Sequence, residues 1–303
     1  MKQLIKGAFL AIATSITIAS YPVNVYAGVR NEGETKSAKV NDAKLVYRVY
    51  GDKSGTPLVL LSPLGFTLDD WDPAIVNGLA KFSTVIVFDN NGVGASSGKT
   101  PTTIAEMAHD AGSFIKALGY AKVNLLGFSM GGFIAQQIVE TEPQLVNKLI
   151  LVGTGPQGAE GLSEIGKKLE SAGSLSPEEL FLAGFFSPSD HSRLLGKESF
   201  ARIQAKKEGR DLPLSKESFG AEFTAVLGWA QPDPGGFERA KNVNNPVLIV
   251  GGQYDFFIPV VNELKLYQAM PNARLVLLPD AGHASFFQYP PLFLQEAGYF
   301  LKN

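Results

Sequence analysis

The stretch "KVNLLGFSMGGFIAQQIVE", residues 122–140, predicts a strand, a sharp turn and a helix in immediate succession. A short apolar run leads into the pattern Gly-x-Ser-x-Gly at residues 127–131, and a helical pattern leaves it at once. A serine held in such a strained turn needs glycines two positions before and after it, because the backbones of strand and helix pack closely there. We therefore interpret Ser129 as a candidate nucleophile. The alternative is a serine that only caps the helix.

The same pattern occurs a second time in "GASSG", residues 94–98, which is centred on Ser96. The loop-like "DNNGVG" precedes this serine and "GKTPTT" follows it, so neither a strand nor a helix adjoins the turn. We expect Ser96 to be a loop residue without a chemical role.

Short apolar runs alternate with segments of helical period from about residue 40 onward. The predicted strands are 58–61, 84–88, 123–126, 148–152, 246–250 and 274–278. The clearest helix is 103–118, which opens with Thr103 and Glu106 in capping-box spacing. Strands that are apolar throughout suit a parallel sheet covered on both faces. The sequence therefore predicts an α/β fold with a doubly wound, mostly parallel sheet.

The alternation stops between about residues 155 and 239, where the sequence contains no strand-like run. Within this block, "SPEELFLAGFF" begins with Ser176 as a helix cap and Pro177 at the first helical position. Stretches rich in glycine and proline, "TGPQGAEG" and "QPDPGG", bound the block. We predict one domain over residues 40–303, with a helical lid inserted between two strands.

The first 27 residues, "MKQLIKGAFLAIATSITIASYPVNVYA", have the composition of a secretory signal peptide. Lys2 and Lys6 precede an uncharged apolar stretch at residues 7–19, and small residues flank a cut after Ala27. An uncleaved membrane anchor is the alternative, but the stretch is short for a spanning helix. We expect a periplasmic or secreted protein that has no stable membrane span after cleavage and begins with a flexible lead-in at residues 28–39.

Composition limits the classes of partner. The chain has 303 residues, of which 45% are hydrophobic, and a formal net charge of −2. Its charges are interspersed rather than clustered, so we expect a small-molecule substrate and no nucleic acid. It has no cysteine, which excludes disulfides and thiol nucleophiles. We find no zinc-binding or phosphate-binding motif, so we expect no metal and no cofactor; the oligomeric state stays open.

A serine nucleophile needs a base within hydrogen-bond reach, normally a histidine. The chain has three histidines. We choose His283, because it lies in "PDAGHASF" directly after the last predicted strand. His109 falls on the polar face of the predicted helix 103–118, and His191 falls within the lid, where a surface role is the simpler interpretation.

The histidine in turn needs a carboxylate to orient it. Asp255, in "GGQYDFFIP", follows a predicted strand and would reach the same edge of the sheet as Ser129. Asp280 also follows a strand, but it lies only three residues before His283, and a role in a tight turn suits it better.

Together, "GFSMGG", the Asp255 loop, "AGH" and "DNNGVGASSG" resemble the α/β-hydrolase family, in the lid-bearing group that includes esterases, cofactor-free haloperoxidases and carbon–carbon bond hydrolases. The resemblance covers the chain from about residue 40 to its end. It implies a triad of Ser129, Asp255 and His283, in the order that this family uses. It also implies an oxyanion hole formed by the backbone N–H groups of Leu64 and Met130.

Two positions depart from the family pattern. Asn91 stands where the loop after the fourth strand commonly has arginine. Ser62 and Pro63 stand where the family frequently has His-Gly after the third strand. Proline has no N–H to donate, so we expect a less rigid oxyanion hole.

These residues predict hydrolysis of a carboxylic ester of a small, largely apolar substrate through an acyl-enzyme on Ser129. The alternatives are a perhydrolase or haloperoxidase-like activity, carbon–carbon bond hydrolysis, and a slow-turnover ligand-binding protein. Several aromatic residues fall in loops and lid segments that would face Ser129, and we expect five of them to line the pocket: Phe66, Phe185, Phe223, Trp229 and Phe256. Phe181, Phe186, Phe219 and Phe257 are further candidates, and the alternative is that most of these rings form the core of the lid.

Overall fold

The computed structural model describes residues 33–171 and 175–303, so the predicted signal peptide lies outside the described residues. The strands are β1 Glu34–Val40, β2 Ala43–Tyr50, β3 Leu58–Leu61, β4 Val85–Phe88, β5 Val123–Phe128, β6 Val146–Val152, β7 Val247–Gly252 and β8 Ala273–Leu278. The helices are α1 Pro73–Leu79, α2 Ile104–Ala117, α3 Met130–Thr141, α4 Ile165–Ser171, α5 Pro177–Phe185, α6 Asp190–Gln204, α7 Lys216–Trp229, α8 Gly236–Ala240, α9 Val261–Ala269, α10 Ser285–Gln288 and α11 Pro290–Lys302.

The strands form one sheet in the order β1-β2-β4-β3-β5-β6-β7-β8. Strands β3 to β8 are parallel, and β1 and β2 are antiparallel to their neighbours. Alternate residues of one strand enter two separate hydrophobic clusters: Val85 and Val87 pack on one side of β4, and Ile86 and Phe88 on the other. Helices therefore cover both faces of the sheet, which confirms the predicted doubly wound α/β fold.

The predicted flexible lead-in at residues 28–39 is wrong over its described part. Residues from Glu34 onward form β1, which pairs along its whole length with β2. The sequence "ETKSAKV" is polar because β1 is an edge strand whose first four residues are exposed. Backbone hydrogen bonds to β2 hold this strand, and because backbone pairing does not require apolar side chains, the sequence shows no apolar pattern here.

Between β6 and β7 the described residues contain helices and no strand. We call the helices α4 to α7 the lid. Helix α5 begins with a complete capping box between Ser176 and Glu179, and α2 begins at the predicted cap, Thr103. Over the described residues, no helix has both the length and the apolar character needed to cross a bilayer.

Candidate active site

Ser129 lies at the junction between β5 and α3, in a backbone conformation that non-glycine residues rarely adopt. Its φ is 53° and its ψ is −117°. The surrounding structure holds the strained residue in place: Ser129 N–H donates to Val152 O at 2.9 Å, and Thr154 Oγ1 donates to Ser129 O at 3.0 Å. The turn therefore presents the serine between the strand and the helix, as the motif predicts.

The glycines around Ser129 allow this close packing. A Cβ atom at Gly127 would lie 2.4 Å from Gly131 O, and one at Gly131 would lie 1.9 Å from Leu61 O. Both distances are far below any real contact, so neither position accepts a side chain without displacement of the backbone.

Asp255 and His283 form a buried pair beyond the ends of β7 and β8. Asp255 Oδ2 lies 2.7 Å from His283 Nδ1, and the two side chains are almost completely buried. The other carboxylate oxygen of Asp255 accepts hydrogen bonds from the N–H groups of Phe257 and Ile258, at 2.9 and 2.8 Å. The carboxylate is therefore fixed, and it orients the imidazole so that Nε2 is left for other chemistry.

Ser129 and His283 line the same cavity, which has a volume of about 340 Å³. Strands β5, β7 and β8 are parallel, so the residues that follow them meet at one edge of the sheet. Three aromatic rings surround the His283 imidazole, with ring centroids 5.0 to 5.8 Å away: Phe128, Phe185 and Phe257. The histidine is thus held among aromatic side chains on the wall of the cavity.

Part of the predicted aromatic lining surrounds this cavity. Phe66 and Phe185 line it, as do Phe181, Phe219 and Phe257. The remaining predicted rings belong to other parts of the described structure.

Trp229 stacks on Phe133 with centroids 5.4 Å apart, inside the core between α7 and α3. Phe256 is 43% exposed, and the Lys168 ammonium lies 5.2 Å from its ring centroid. Phe223 stacks on Phe219 with ring centroids 6.3 Å apart and is not among the residues that line the cavity. Phe186 is buried in the hydrophobic cluster on one face of the sheet.

Of the two proposed oxyanion donors, Met130 directly follows Ser129, and Leu64 lines the same cavity as Ser129. Met130 is the first residue of α3, where backbone N–H groups have no partner within the helix. Leu64 lines the cavity in the turn after β3. This turn is held in spite of Pro63: Phe66 N–H donates to Pro63 O at 3.4 Å, and Trp71 Nε1 donates to Ser62 Oγ at 3.1 Å.

We also located the serine, the two histidines and the aspartate that the sequence analysis did not assign to the triad. The Ser96 hydroxyl is buried between backbone groups, accepting from Val46 N–H at 2.8 Å and donating to Asp89 O at 3.0 Å. His109 and His191 are exposed. Asp280, with a φ of 50°, accepts hydrogen bonds from the hydroxyls of Ser187 and Ser189, both at 2.6 Å.

Asn91, which replaces the family's usual arginine, donates from Nδ2 to Asp110 Oδ2 of α2 at 3.0 Å. This hydrogen bond anchors the loop after β4 to α2 without the arginine. Among the described residues, no group of three or more His, Cys, Asp or Glu side chains could hold a metal ion.

Sequence reasoning missed two buried carboxyl groups near the site. Glu222 of α7 accepts hydrogen bonds from Gly65 N–H at 2.9 Å and Asn90 Nδ2 at 3.1 Å, and burial raises its pKa to about 7. Glu263 of α9 is completely buried, and burial together with the nearby charge of Asp255 raises its pKa well above the usual value. A signal for Glu222 exists in the sequence, because an acidic residue shares the buried face of α7 with Ala225 and Trp229.

Comparisons with known proteins identify the same fold. The sequence profile of the α/β-hydrolase fold family matches residues 56–290. A solved structure of an α/β-hydrolase fold protein from Chitinophaga pinensis is 39% identical, covers 89% of this chain and 98% of its own, and has a TM-score of 0.87.

Two curated relatives match at lower identity. A protein of Mycobacterium tuberculosis strain H37Rv, which bears the name non-heme bromoperoxidase BpoC, is 28% identical over 81% of this chain and 94% of its own. A protein of Agrobacterium fabrum, which bears the name carbamate hydrolase RutD, is 27% identical over 82% of this chain and 94% of its own. The extent of the profile match, together with the strained turn at Ser129 and the parallel sheet that carries it, shows that the chain belongs to the α/β-hydrolase family.

Proposed function

We propose that this protein is a serine hydrolase that cleaves a carboxylic ester of a small, largely apolar substrate. One observation supports this function above the others: Ser129, in its strained turn, shares one apolar cavity with a histidine that a buried aspartate orients. This arrangement is suited to acyl transfer, first from the alcohol of the ester to the serine and then from the serine to water.

The proposed reaction proceeds in two steps. Ser129 Oγ attacks the ester carbonyl carbon while His283 Nε2 takes the hydroxyl proton, and the N–H groups of Leu64 and Met130 stabilise the negative oxygen. The C–O bond to the alcohol then breaks, and the imidazolium returns the proton to the leaving oxygen. Water, activated by the same imidazole, hydrolyses the acyl-enzyme and releases the carboxylic acid. Asp255 stabilises the imidazolium in both steps.

The lining of the cavity supports a neutral substrate with apolar groups. Leucine, isoleucine and phenylalanine side chains form most of the wall, and the volume of about 340 Å³ is that of a small-molecule site. Asp70 is the carboxylate in the lining; burial raises its pKa, and Thr67 and Arg210 bind its oxygens. A charged substrate would lose its hydration in such a cavity, so we expect uncharged esters to react faster.

The names of the relatives favour a second candidate with the same nucleophile. If hydrogen peroxide replaces water in the second step, it attacks the acyl-enzyme and releases a peracid, which is the perhydrolase chemistry that the name bromoperoxidase suggests. The name carbamate hydrolase suggests instead an acyl group attached to nitrogen. Carbon–carbon bond hydrolysis and slow-turnover ligand binding have no specific observation in their favour.

A panel of p-nitrophenyl esters, assayed with and without peroxide, separates ester hydrolysis from perhydrolase activity. We expect wild type to hydrolyse acetate to octanoate esters at rates well above a negatively charged succinate half-ester. Ser129→Ala should lose this activity, and the matched variant Ser96→Ala should keep it. The same acyl donors with added peroxide and bromide report perhydrolase activity. A preference for the charged ester, or full activity in Ser129→Ala, would contradict the proposal.

We also propose that residues 1–27 direct export and that the mature protein acts in the periplasm or outside the cell. The sequence of the segment supports this localisation: two lysines precede an uncharged apolar stretch, and small residues surround the proposed cut.

A further inference from the structure

Helix α7 of the lid packs directly on the turn that carries the proposed oxyanion donor Leu64. Phe219 and Glu222 are three residues apart and so lie on the same face of the helix. A Cβ atom at Gly65 would lie 3.5 Å from the Phe219 ring, and Glu222 Oε2 accepts the Gly65 N–H at 2.9 Å. A lid residue therefore holds the backbone next to Leu64.

This turn can in principle adopt two orientations of its central peptide. Pro63 and Phe66 are its first and last residues, since Phe66 N–H donates to Pro63 O. Gly65 has a φ of 87°, the conformation that a type II turn requires at its third residue. Rotating the Leu64–Gly65 peptide would convert the turn toward type I and direct the Gly65 N–H away from Glu222. The hydrogen bond to Glu222 thus selects one orientation.

The carboxylate suits this task because both of its oxygens have a donor. Oε1 accepts from Asn90 Nδ2 in the loop after β4, so the side chain is fixed at both oxygens. Its side chain is inaccessible to solvent, so in the ionised form each of these hydrogen bonds is stronger than the same bond at the surface. Glu222 therefore links the lid, the turn after β3 and the loop after β4.

We propose that Glu222 is a positioning residue for oxyanion stabilisation: by binding the Gly65 N–H, it fixes the central peptide of the turn and keeps the Leu64 carbonyl, which belongs to the same peptide, on the opposite side, so that the turn that carries the Leu64 N–H holds one conformation. This inference rests on the proposed function. It also explains how the turn stays rigid although Pro63 replaces a residue with an N–H. The lid then contributes to the chemistry as well as to the walls of the cavity.

The test compares three variants of α7. Glu222→Leu removes both hydrogen bonds. Glu222→Gln keeps an oxygen for Gly65, and its amide can donate to Asn90 Oδ1 after rotation of the Asn90 amide. Ser218→Ala is the matched control, because it removes another hydrogen bond from α7 to the loop after β4, from Ser218 Oγ to Gly92 O at 2.7 Å, and leaves Gly65 untouched.

We expect Glu222→Leu to lower kcat on a p-nitrophenyl ester by about 10- to 100-fold, approaching the loss of an oxyanion donor, with KM changed less than about threefold. Glu222→Gln and Ser218→Ala should stay within about threefold of wild type. Unchanged kcat in Glu222→Leu, an equal loss in Ser218→Ala, or no rescue by Glu222→Gln would overturn the inference.

Hydrogen exchange keeps the test independent of the reaction. We expect faster amide exchange in the peptide that spans residues 62–68 of Glu222→Leu, and wild-type exchange there in the other two variants. If wild type hydrolyses no ester, the proposed function fails, and this measurement still decides whether Glu222 holds the turn. Wild-type exchange in a folded Glu222→Leu protein would reject the inference by itself. Circular dichroism and Tm confirm that each variant is folded.

Discussion

At the scale of single residues, Asp255 has two tasks, one for each carboxylate oxygen. Oδ1 caps the loop through two backbone N–H groups, and Oδ2 binds His283 Nδ1. In Asp255→Asn, the amide oxygen can keep the cap, but the NH₂ group then faces Nδ1. That nitrogen must become an acceptor, so the proton moves to Nε2, which can no longer receive a proton from Ser129.

We therefore expect Asp255→Asn to lose about 10⁴-fold in esterase kcat, the size found when the wrong tautomer is imposed on a serine protease. Its Tm should change by only a few degrees, because the cap is kept. Steady-state kinetics and thermal unfolding check both parts. Activity within tenfold of wild type would show that the Asp255–His283 pair does not orient the base.

The three residues of the proposed triad could be predicted from the sequence, since each directly follows an apolar run and parallel strands bring their ends together. Glu222 could not be assigned a role, because its partners Gly65 and Asn90 lie 157 and 132 positions away in the chain. The surroundings of Trp229 and Phe256 could not be predicted either. The same sequence pattern allows a ring on a helix or loop to face the cavity, the core or solvent.

At the scale of elements, a pair of carboxyl groups connects the lid region to the sheet. Asp89 follows β4 and accepts from Leu68 N–H at 2.7 Å, and Asp211 lies between α6 and α7 and accepts from Ala95 N–H at 3.0 Å. Burial, together with the hydrogen bond and charge of Asp211, raises the pKa of Asp89 to about 10, although the Arg48 guanidinium opposes this. We therefore expect Asp89 to stay protonated in the folded protein at neutral pH, with its O–H directed toward Asp211.

This pair should make stability fall as the pH rises. The unfolded chain releases the Asp89 proton near pH 4, whereas the folded protein keeps it up to about pH 10. The stabilisation is complete below about pH 4. Between about pH 4 and about pH 10, each pH unit removes up to about 1.4 kcal/mol from the free energy of unfolding. In Asp89→Asn, the amide can donate to Asp211 at every pH. We expect a flatter dependence between pH 6 and 8.5 than in wild type.

Urea unfolding at several pH values measures these slopes. The comparison with wild type cancels the contributions of Glu222 and Glu263, whose pKa values are also raised. Equal slopes in wild type and Asp89→Asn would show that the two carboxyl groups do not share a proton.

Strands β3 to β8 could be predicted because burial on both faces leaves them apolar throughout. Strand β1 escaped prediction because only its pairing with β2 defines it, and its side chains are mostly exposed. The helices of the lid could be predicted from their capping residues. The packing of α7 on Gly65 could not be predicted, because that contact depends on how the chain returns over the edge of the sheet.

At the scale of the whole molecule, the proposed export predicts a mature protein that begins at Gly28. Cleavage after Ala27 removes two lysines and no acidic residue, so the formal charge changes from −2 to −4. Intact mass spectrometry of protein recovered from the periplasm or medium of an expressing bacterium checks the site. A protein that retains residues 1–27 in the membrane fraction would support an uncleaved anchor instead.

The central claim is that Ser129 is an activated nucleophile in an assembled site. The most direct measurement is intact mass after exposure to a fluorophosphonate, which reacts with activated serines, on wild type, Ser129→Ala and Ser96→Ala. We predict one adduct on wild type and on Ser96→Ala, and none on Ser129→Ala. An unlabelled wild type, or an adduct that persists in Ser129→Ala, would contradict the claim.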